Sequence, residues 1–209
     1  SDFDYKLDSS LFPIIKKIDN PIILELGVQK GKSTKKFLEI CEKKNGKLFS
    51  IDIDDCSNVS NSNVWHFYQT RDDNFDFIKS KIPKKIDVLF IDTIHEASHV
   101  KKILYNYYDH VKEGGYIFID DISHLPYLKN FQRDNFYCEI NNHETFKILL
   151  EIYSKNTENI DLSFSFISSG LAIIKKKTEL NLNEYKKLYL REFSIKNFVR
   201  KLWQSLKRN

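Results

Sequence analysis

Pro21-Ile22-Ile23-Leu24-Glu25-Leu26-Gly27-Val28-Gln29-Lys30-Gly31-Lys32-Ser33-Thr34 is the stretch that decides the fold. Proline opens a short apolar run, Gly27 ends it, and Gly31 opens a segment in which Phe37, Leu38 and Cys41 recur at helical spacing. This reads as strand, glycine loop, helix. A run apolar on both faces belongs to a strand covered on both sides, as in a parallel sheet.

Working outward, Asn45-Gly46 caps the helix and Leu48–Ile53 follows as a second buried strand. Val64–Gln69 and Asn74–Lys81 form another strand and helix. Ile86–Ile91 is a continuous apolar strand, followed by a helix from about Glu96 to Val111, and Gly114-Gly115 turns the chain into Tyr116–Ile119. Beyond an irregular stretch around Pro126, a helix at Glu144–Lys155 leads to two β-rich runs, Leu162–Ile167 and Gly170–Lys175, joined by Ser168-Ser169 as a hairpin. The expected class is α/β: a doubly wound, Rossmann-like, mostly parallel seven-stranded sheet with an antiparallel edge hairpin. Residues 1–20 form a helical N-terminal segment (helix Ser9–Ile18), 21–177 the domain, and 178–209 a basic tail with a helix at about Asn183–Lys207.

The 209 residues suit one core, and 41% hydrophobic with 30% charged residues excludes a disordered chain. No run reaches the length of a membrane span, and Ser1-Asp2-Phe3-Asp4 lacks a secretory leader pattern. Three cysteines at unrelated spacings, Cys41, Cys56 and Cys138, fit a reducing, cytoplasmic setting. From Lys175 onward eleven Lys and Arg stand against three Glu, and with a chain total of +4 the body before them is net acidic. Such a body repels phosphate, which argues against nucleic acid as a partner.

In a doubly wound sheet ligands sit beyond the carboxyl ends of the strands. At the first such end, Gly27 and Gly31 leave the backbone bare, the helix opening offers N–H groups to an anion, and Ser33 adds a hydroxyl. At the second, Asp52 can take both hydroxyls of a ribose. A phosphate-cradling Walker loop would need a glycine at Leu26, and a dinucleotide fingerprint one at Gln29.

Asp92 ends the fourth strand and Asp120-Asp121 the fifth. Three bare carboxylates side by side repel, and a hard divalent cation, Mg²⁺ before Mn²⁺ or Ca²⁺, would hold them together and bind a substrate hydroxyl. His95 and His124, each three residues beyond one of these aspartates, are candidate bases. His95-Glu96-Ala97-Ser98-His99 also satisfies the His-Glu-x-x-His zinc signature, so a zinc metallopeptidase stands as an alternative, although His95 directly follows a buried strand where that motif requires a helix. His99 then reads as an ordinary residue of the following helix.

The Glu-x-Gly-x-x-x-Gly-x-Ser loop with an acid closing the second strand resembles the cofactor motif of class I S-adenosylmethionine-dependent methyltransferases. The resemblance is to their metal-dependent O-methyltransferase branch, which includes catechol O-methyltransferase-like, macrocin O-methyltransferase-like and cephalosporin hydroxylase-like proteins. It covers about residues 20–175 and implies that Glu25 and Gly27, with Val28 and Gly31, border the methionine moiety. It further implies that Ser33 holds the methionine carboxylate and Asp52, beside Ile53, the ribose, with Arg71 and Asp72 near adenine. Asp92 would then serve both cofactor and metal, with Asp120 and Asp121 completing the metal site. His95 falls where macrolide-sugar enzymes carry a histidine and catechol-type enzymes a lysine, which points to a sugar or other aliphatic hydroxyl as acceptor.

Tyr127, Phe131, Phe136 and Tyr137 form either a lid over that acceptor or core packing. In the tail, Ile195, Phe198, Val199, Leu202 and Leu206 line one helix face against Lys196, Arg200, Lys201, Lys207 and Arg208, with Trp203 at the boundary. Residues 193–209 would pack on the domain, meet a partner, or lie on the inner face of an anionic membrane, where a lipid-linked glycan is an attractive acceptor. The oligomeric state stays open, a homodimer included, and so does a non-catalytic cofactor-binding module.

Overall fold

The computed structural model describes residues 2–124, 136–189 and 194–206, without the side chains of residues 136, 137 and 205. Seven strands, β1 (Ile22–Leu26), β2 (Lys47–Asp52), β3 (Trp65–Gln69), β4 (Ile86–Ile91), β5 (Val111–Asp120), β6 (Ile160–Ser165) and β7 (Leu171–Lys176), form one sheet in the order β3-β2-β1-β4-β5-β7-β6. The first five are parallel; β7 runs antiparallel to β5 and to β6. This is the expected Rossmann-like sheet, with the predicted hairpin making its antiparallel edge. Because the order reverses between β1 and β4, the carboxyl ends of β1, β2, β4 and β5 open onto a single crevice.

Helices cover both faces. Helices α1 (Asp2–Ser10), α2 (Phe12–Ile15) and α3 (Lys32–Lys44) send Leu7, Leu11, Phe12, Ile15, Phe37 and Cys41 against Ile23, Val88, Phe90 and Phe118. Helices α4 (Phe75–Lys81), α5 (Ala97–Tyr107) and α6 (Phe136–Tyr153) send Ile78, Val100, Ile103, Leu104, Leu149 and Ile152 against the alternate residues Leu24, Leu26, Leu89, Ile91, Ile117 and Ile119. The two-residue period of the strands thus divides the apolar side chains between two cores. Residues of the N-terminal segment belong to one of them.

Four boundaries differ from the sequence reading. The N-terminal helix begins at Asp2 and is broken after Ser10, with Pro13 in the first turn of the restart, where its missing N–H costs nothing. Gly114-Gly115 lie inside β5, where the β4–β5 register shifts; a Cβ on Gly115 would come within 2.9 Å of the Asp87 carbonyl oxygen. Helix α6 starts at Phe136 rather than Glu144. The tail helix, α7, spans only Ile195–Leu206. Residues 177–189 are not helical because their backbone is bonded elsewhere: Asn183 N–H donates to Asn156 Oδ1 at 2.7 Å, its carbonyl accepts from Tyr105 Oη at 2.8 Å, and Leu188 N–H donates to Glu151 Oε1 at 3.0 Å. Tyr127 and Phe131, and the side chains of Phe136 and Tyr137, lie outside the described residues.

Candidate active site

Gly27, with φ +96°, turns the chain out of β1, and its N–H donates to the Ile51 carbonyl at 2.9 Å. A Cβ here would stand 1.9 Å from the Asp92 carbonyl oxygen. Gly31, with φ +71°, caps α3, and a Cβ on it would stand 2.2 Å from Val59 Cγ1. Both glycines are therefore required by the chain's own packing and by left-handed backbone. Gly31 itself is buried, whereas Gly27 is partly exposed and also lines the cavities over the loop.

Glu25 and Ser33 also take different parts from those expected. The Glu25 side chain is fully buried on β1: Oε1 accepts from Ser33 Oγ at 2.6 Å, and Oε2 from Thr34 Oγ1 at 2.9 Å and Ser50 Oγ at 2.7 Å. Burial pushes its carboxyl up to about 7, the three hydroxyls offsetting only part of that effect. Glu25 thus ties the first turn of α3 to β1 and β2 from beneath, and Ser33, itself buried, spends its hydroxyl proton on Glu25. The Ser33 proton is thus committed to Glu25, and the N–H groups of the α3 first turn remain for an anion.

Asp52, at the end of β2, holds the loop from the other side. Its Oδ2 accepts from Val28 N–H at 2.7 Å and Gln29 N–H at 3.0 Å, and its Oδ1 from Asp54 N–H at 3.0 Å. Partial burial opposes ionisation, but the backbone donors of Gln29, Asp54, Val28 and Ile53 outweigh it and keep the carboxyl below its ordinary value. A charged carboxylate has about four acceptor positions, so Asp52 keeps capacity for ligand hydroxyls.

Two adjoining cavities lie over this loop. One, of about 230 Å³, is lined by Gly27, Asp52, Ile53, Arg71, Asp72 and Asp92 among others, which brings together six of the residues singled out from the sequence. The other, of about 380 Å³, runs over Val28, Lys32 and Ser33 to Phe3 of α1 and shares Gly27, Gln29 and Asp92 with the first. Asp72 forms the far wall: Oδ2 meets Thr93 Oγ1 and His99 Nε2, both at 2.7 Å, and its carbonyl accepts from Tyr107 Oη at 2.8 Å. Arg71 turns to Asp73, with Nε 2.9 Å from Oδ1.

At the near wall the expected carboxylates meet an unexpected cation. His95 Nε2 lies 3.6 Å from Asp92 Oδ1 and 3.4 Å from Asp121 Oδ2. Asp121 adopts φ +58°, and Asp120, almost fully buried, pairs with the ammonium of Lys6 from α1. Lys6, with no exposed surface, also donates to Ser169 Oγ at 2.7 Å and stands 4.0 Å from Asp121 Oδ1. Burial, then repulsion from Asp120 and Asp121, pushes the Asp92 carboxyl well above the ordinary range; burial likewise raises Asp120, against the pull of Lys6.

Among the described residues no three His, Cys, Asp or Glu side chains are arranged to hold a metal ion. The donor chemistry suits a hard divalent ion, but the position beside Asp120 belongs to an ammonium, so in this arrangement the residues do not fit one. Asp92, Asp120 and Asp121, the three residues expected to hold a metal, stand here as a row of carboxylates bridged by His95 and Lys6. Sequence reasoning missed Lys6 altogether, although Phe3, Leu7 and Leu11, four residues apart, mark an inward helix face beside it.

His124 stands apart from this row: its ring packs on His143 and Phe146, both at 4.6 Å between centroids, and burial lowers its tendency to protonate. The zinc signature dissolves as well, since His95 turns to Asp92 and Asp121 while His99, in α5, turns to Asp72. His66 and His110 are half-buried, and His143 is exposed.

Residues 24–122 match the family described as methyltransferase domain. This segment is similar to a methyltransferase domain. It contains the glycine loop, Asp52, Asp72, Asp92, His95, Asp120 and Asp121, whereas Lys6 lies before it. A search of the curated proteins finds no match to the chain. Among solved structures the chain is similar to MycE of the mycinamycin biosynthetic pathway, solved with Mg, SAH and mycinamycin VI: 20% identity, TM-score 0.56, covering 80% of this chain and 48% of that one. It is also similar to the SAH-bound methyltransferase PaMTH1 of Podospora anserina: 17% identity, TM-score 0.60, covering 76% of this chain and 72% of that one. At these identities the likeness is one of fold, and the chain spans about half the length of the MycE structures it matches.

Proposed function

We propose that the chain binds S-adenosylmethionine and transfers its methyl group to a hydroxyl of a small molecule, a sugar or another aliphatic alcohol. The observation that carries this reading is the groove whose two cavities meet at Gly27 and Asp92, with Asp52 on one side and the Asp92–His95–Asp121 row on the other. Asp52 would take the ribose hydroxyls, Ile53 and Asp72 the base, and the N–H groups opening α3 the methionine carboxylate. When bound, the cofactor supplies an electrophilic methyl on a sulfonium.

The chain's own task is then to orient the acceptor oxygen and remove its proton. His95 Nε2 faces two carboxylate oxygens at distances beyond a short hydrogen bond, so a hydroxyl entering between them can pass its proton to that nitrogen. Asp92 and Asp121 face the positive charge the ring acquires. His124 takes no part in this scheme, and no step runs through a metal, because Lys6 already stands among the acids.

Calorimetry with S-adenosylhomocysteine tests the reading: micromolar binding, weakened in Asp52→Asn, supports it, and no binding by the full chain overturns it. Turnover against sugar, aliphatic and catechol acceptors then decides the acceptor class, with catechol preference counting against the choice drawn from His95.

The tail reading concerns location. No helix among the described residues is long and apolar enough to cross a membrane. On α7, Ile195, Phe198, Val199, Leu202, Trp203 and Leu206 are all exposed, which favours an anionic lipid surface over packing on the domain.

A further inference from the structure

Acidic residues gathered at adjacent strand ends need a positive charge among them, and the structure supplies one from outside the segment that matches the methyltransferase family. Asp92, Asp120 and Asp121 come from the ends of β4 and β5; Lys6 comes from α1, 114 residues before its partner Asp120. Its ammonium is fully buried and its surroundings are complete: Asp120 as ion-pair partner, Ser169 Oγ at 2.7 Å, Asp121 Oδ1 at 4.0 Å and the Phe3 ring at 5.1 Å to the centroid. An ammonium has three protons to give, and this cage has acceptors for them.

We propose that Lys6 is the resident cation of the carboxylate cluster, taking the place of a divalent ion and positioning Asp120 and Asp121, and through Asp121 the base His95. The physical argument is exclusion. A divalent ion on Asp120 would have to share its oxygens with a buried ammonium, and two cations that close in a poorly solvated site repel strongly. Displacing Lys6 instead would leave its charge buried and unpaired, which is equally costly. The same pair anchors α1 across the carboxyl end of β5, so that Phe3 reaches the cavity over Lys32 and Ser33. Lys6 is thus a positioning residue, and the cluster is complete without added metal.

The inference rests on the methyltransferase reading only for the use made of His95; the charge claim is tested without turnover. Mn²⁺ titration followed by electron paramagnetic resonance, on the full chain, compares wild type with Lys6→Met and Lys6→Arg. Wild type and Lys6→Arg are expected to show only weak binding, and Lys6→Met to gain a site at least roughly tenfold tighter, since site affinity follows ligand charge. That new site should disappear when Asp121→Asn is added. A wild-type Mn²⁺ site as tight as that of Lys6→Met, or no gain in a folded Lys6→Met, overturns the proposal. If Lys6→Met does not fold, wild type decides alone: a tight Mn²⁺ site abolished by Asp120→Asn overturns it, and no tight site supports it. Binding of S-adenosylhomocysteine, measured separately, reports on the function and not on this claim.

Discussion

Replacing Glu25 by glutamine tests the reading of the loop's foundation. The Glu25 carboxyl titrates at about 7 in the folded chain against 4.5 as an ordinary glutamate, chiefly because it is buried. A raised carboxyl binds its proton more tightly in the folded state. Its contribution to stability is therefore complete below about pH 4.5 and is lost as pH rises to about 7. The displacement corresponds to about 3 kcal/mol, at roughly 1.4 kcal/mol for each tenfold change. The amide introduced by Glu25→Gln would keep the shape of the protonated carboxyl: its oxygen can accept from Ser33, and its nitrogen can donate to the hydroxyl oxygens of Thr34 and Ser50, which rotate to suit. Ser50 Oγ also accepts from Trp65 Nε1 at 2.9 Å, so some cost remains at every pH. Urea unfolding of both proteins between pH 4 and pH 8 should show similar stability at the acid end, with the variant gaining about 3 kcal/mol relative to wild type by the alkaline end. In melting temperature the same gain amounts to about 6–12 °C for a chain of this size. Parallel curves, or a variant that loses ground as pH rises, would mean that the three hydroxyls hold a stable carboxylate and that burial is not the dominant influence.

Asp52→Asn should keep the Val28 and Gln29 backbone bonds but lower affinity for S-adenosylhomocysteine about 10–100-fold, the cost of charge-assisted bonds to ribose hydroxyls, read by calorimetry. Gly27→Ala should destabilise the chain by about 2–4 kcal/mol in urea, since φ +96° and the Asp92 carbonyl both oppose a Cβ; a change within experimental error would refute the packing argument. His95→Ala should reduce turnover by about 10²–10⁴ while leaving cofactor affinity within a few-fold, whereas His124→Ala should affect turnover far less. Deleting residues 193–209 should abolish co-sedimentation with anionic vesicles and spare cofactor binding; sedimentation that ignores lipid charge would end the membrane reading.

The strand-and-loop part of this fold was legible because it is written in short-range chemistry. Apolar runs of strand length closed by Gly27, Asp52, Asp92 and Asp120 read as buried strands, and the β6–β7 hairpin followed from two β-rich runs separated by small residues. The residues of the groove were legible for the same reason: strand ends in such a sheet all point to one crevice, so Asp52, Asp72 and Asp92 needed only to be counted to the ends of their strands. What could not be seen is how polar side chains pair once they arrive. Glu25 and Ser33 were assigned separately to a ligand because nothing in their spacing says that one hydroxyl proton will be spent on the other. His99 was passed over because its partner, Asp72, lies on another element.

Lys6 marks where local pattern stops carrying information. A lysine in an acid-rich, helix-forming N-terminal segment reads as solvated, and only the packing of Leu7, Leu11, Phe12 and Ile15 beneath the sheet delivers its stem to the end of β5. Repulsion among three carboxylates calls for a positive charge among them, and in this structure the ammonium of Lys6 stands there. Electrostatics specifies a sign of charge at a place, and many atoms can supply it. A divalent ion costs no chain ordering but leaves occupancy to the ion's concentration. A buried lysine costs the ordering of a helix, needs no ion from solution, and makes the docking of α1 a condition for the geometry of the acids. On that argument the N-terminal helix and the carboxylate row form one cooperative unit. Loosening α1 should disorder Asp120, Asp121 and His95 well before the sheet itself gives way.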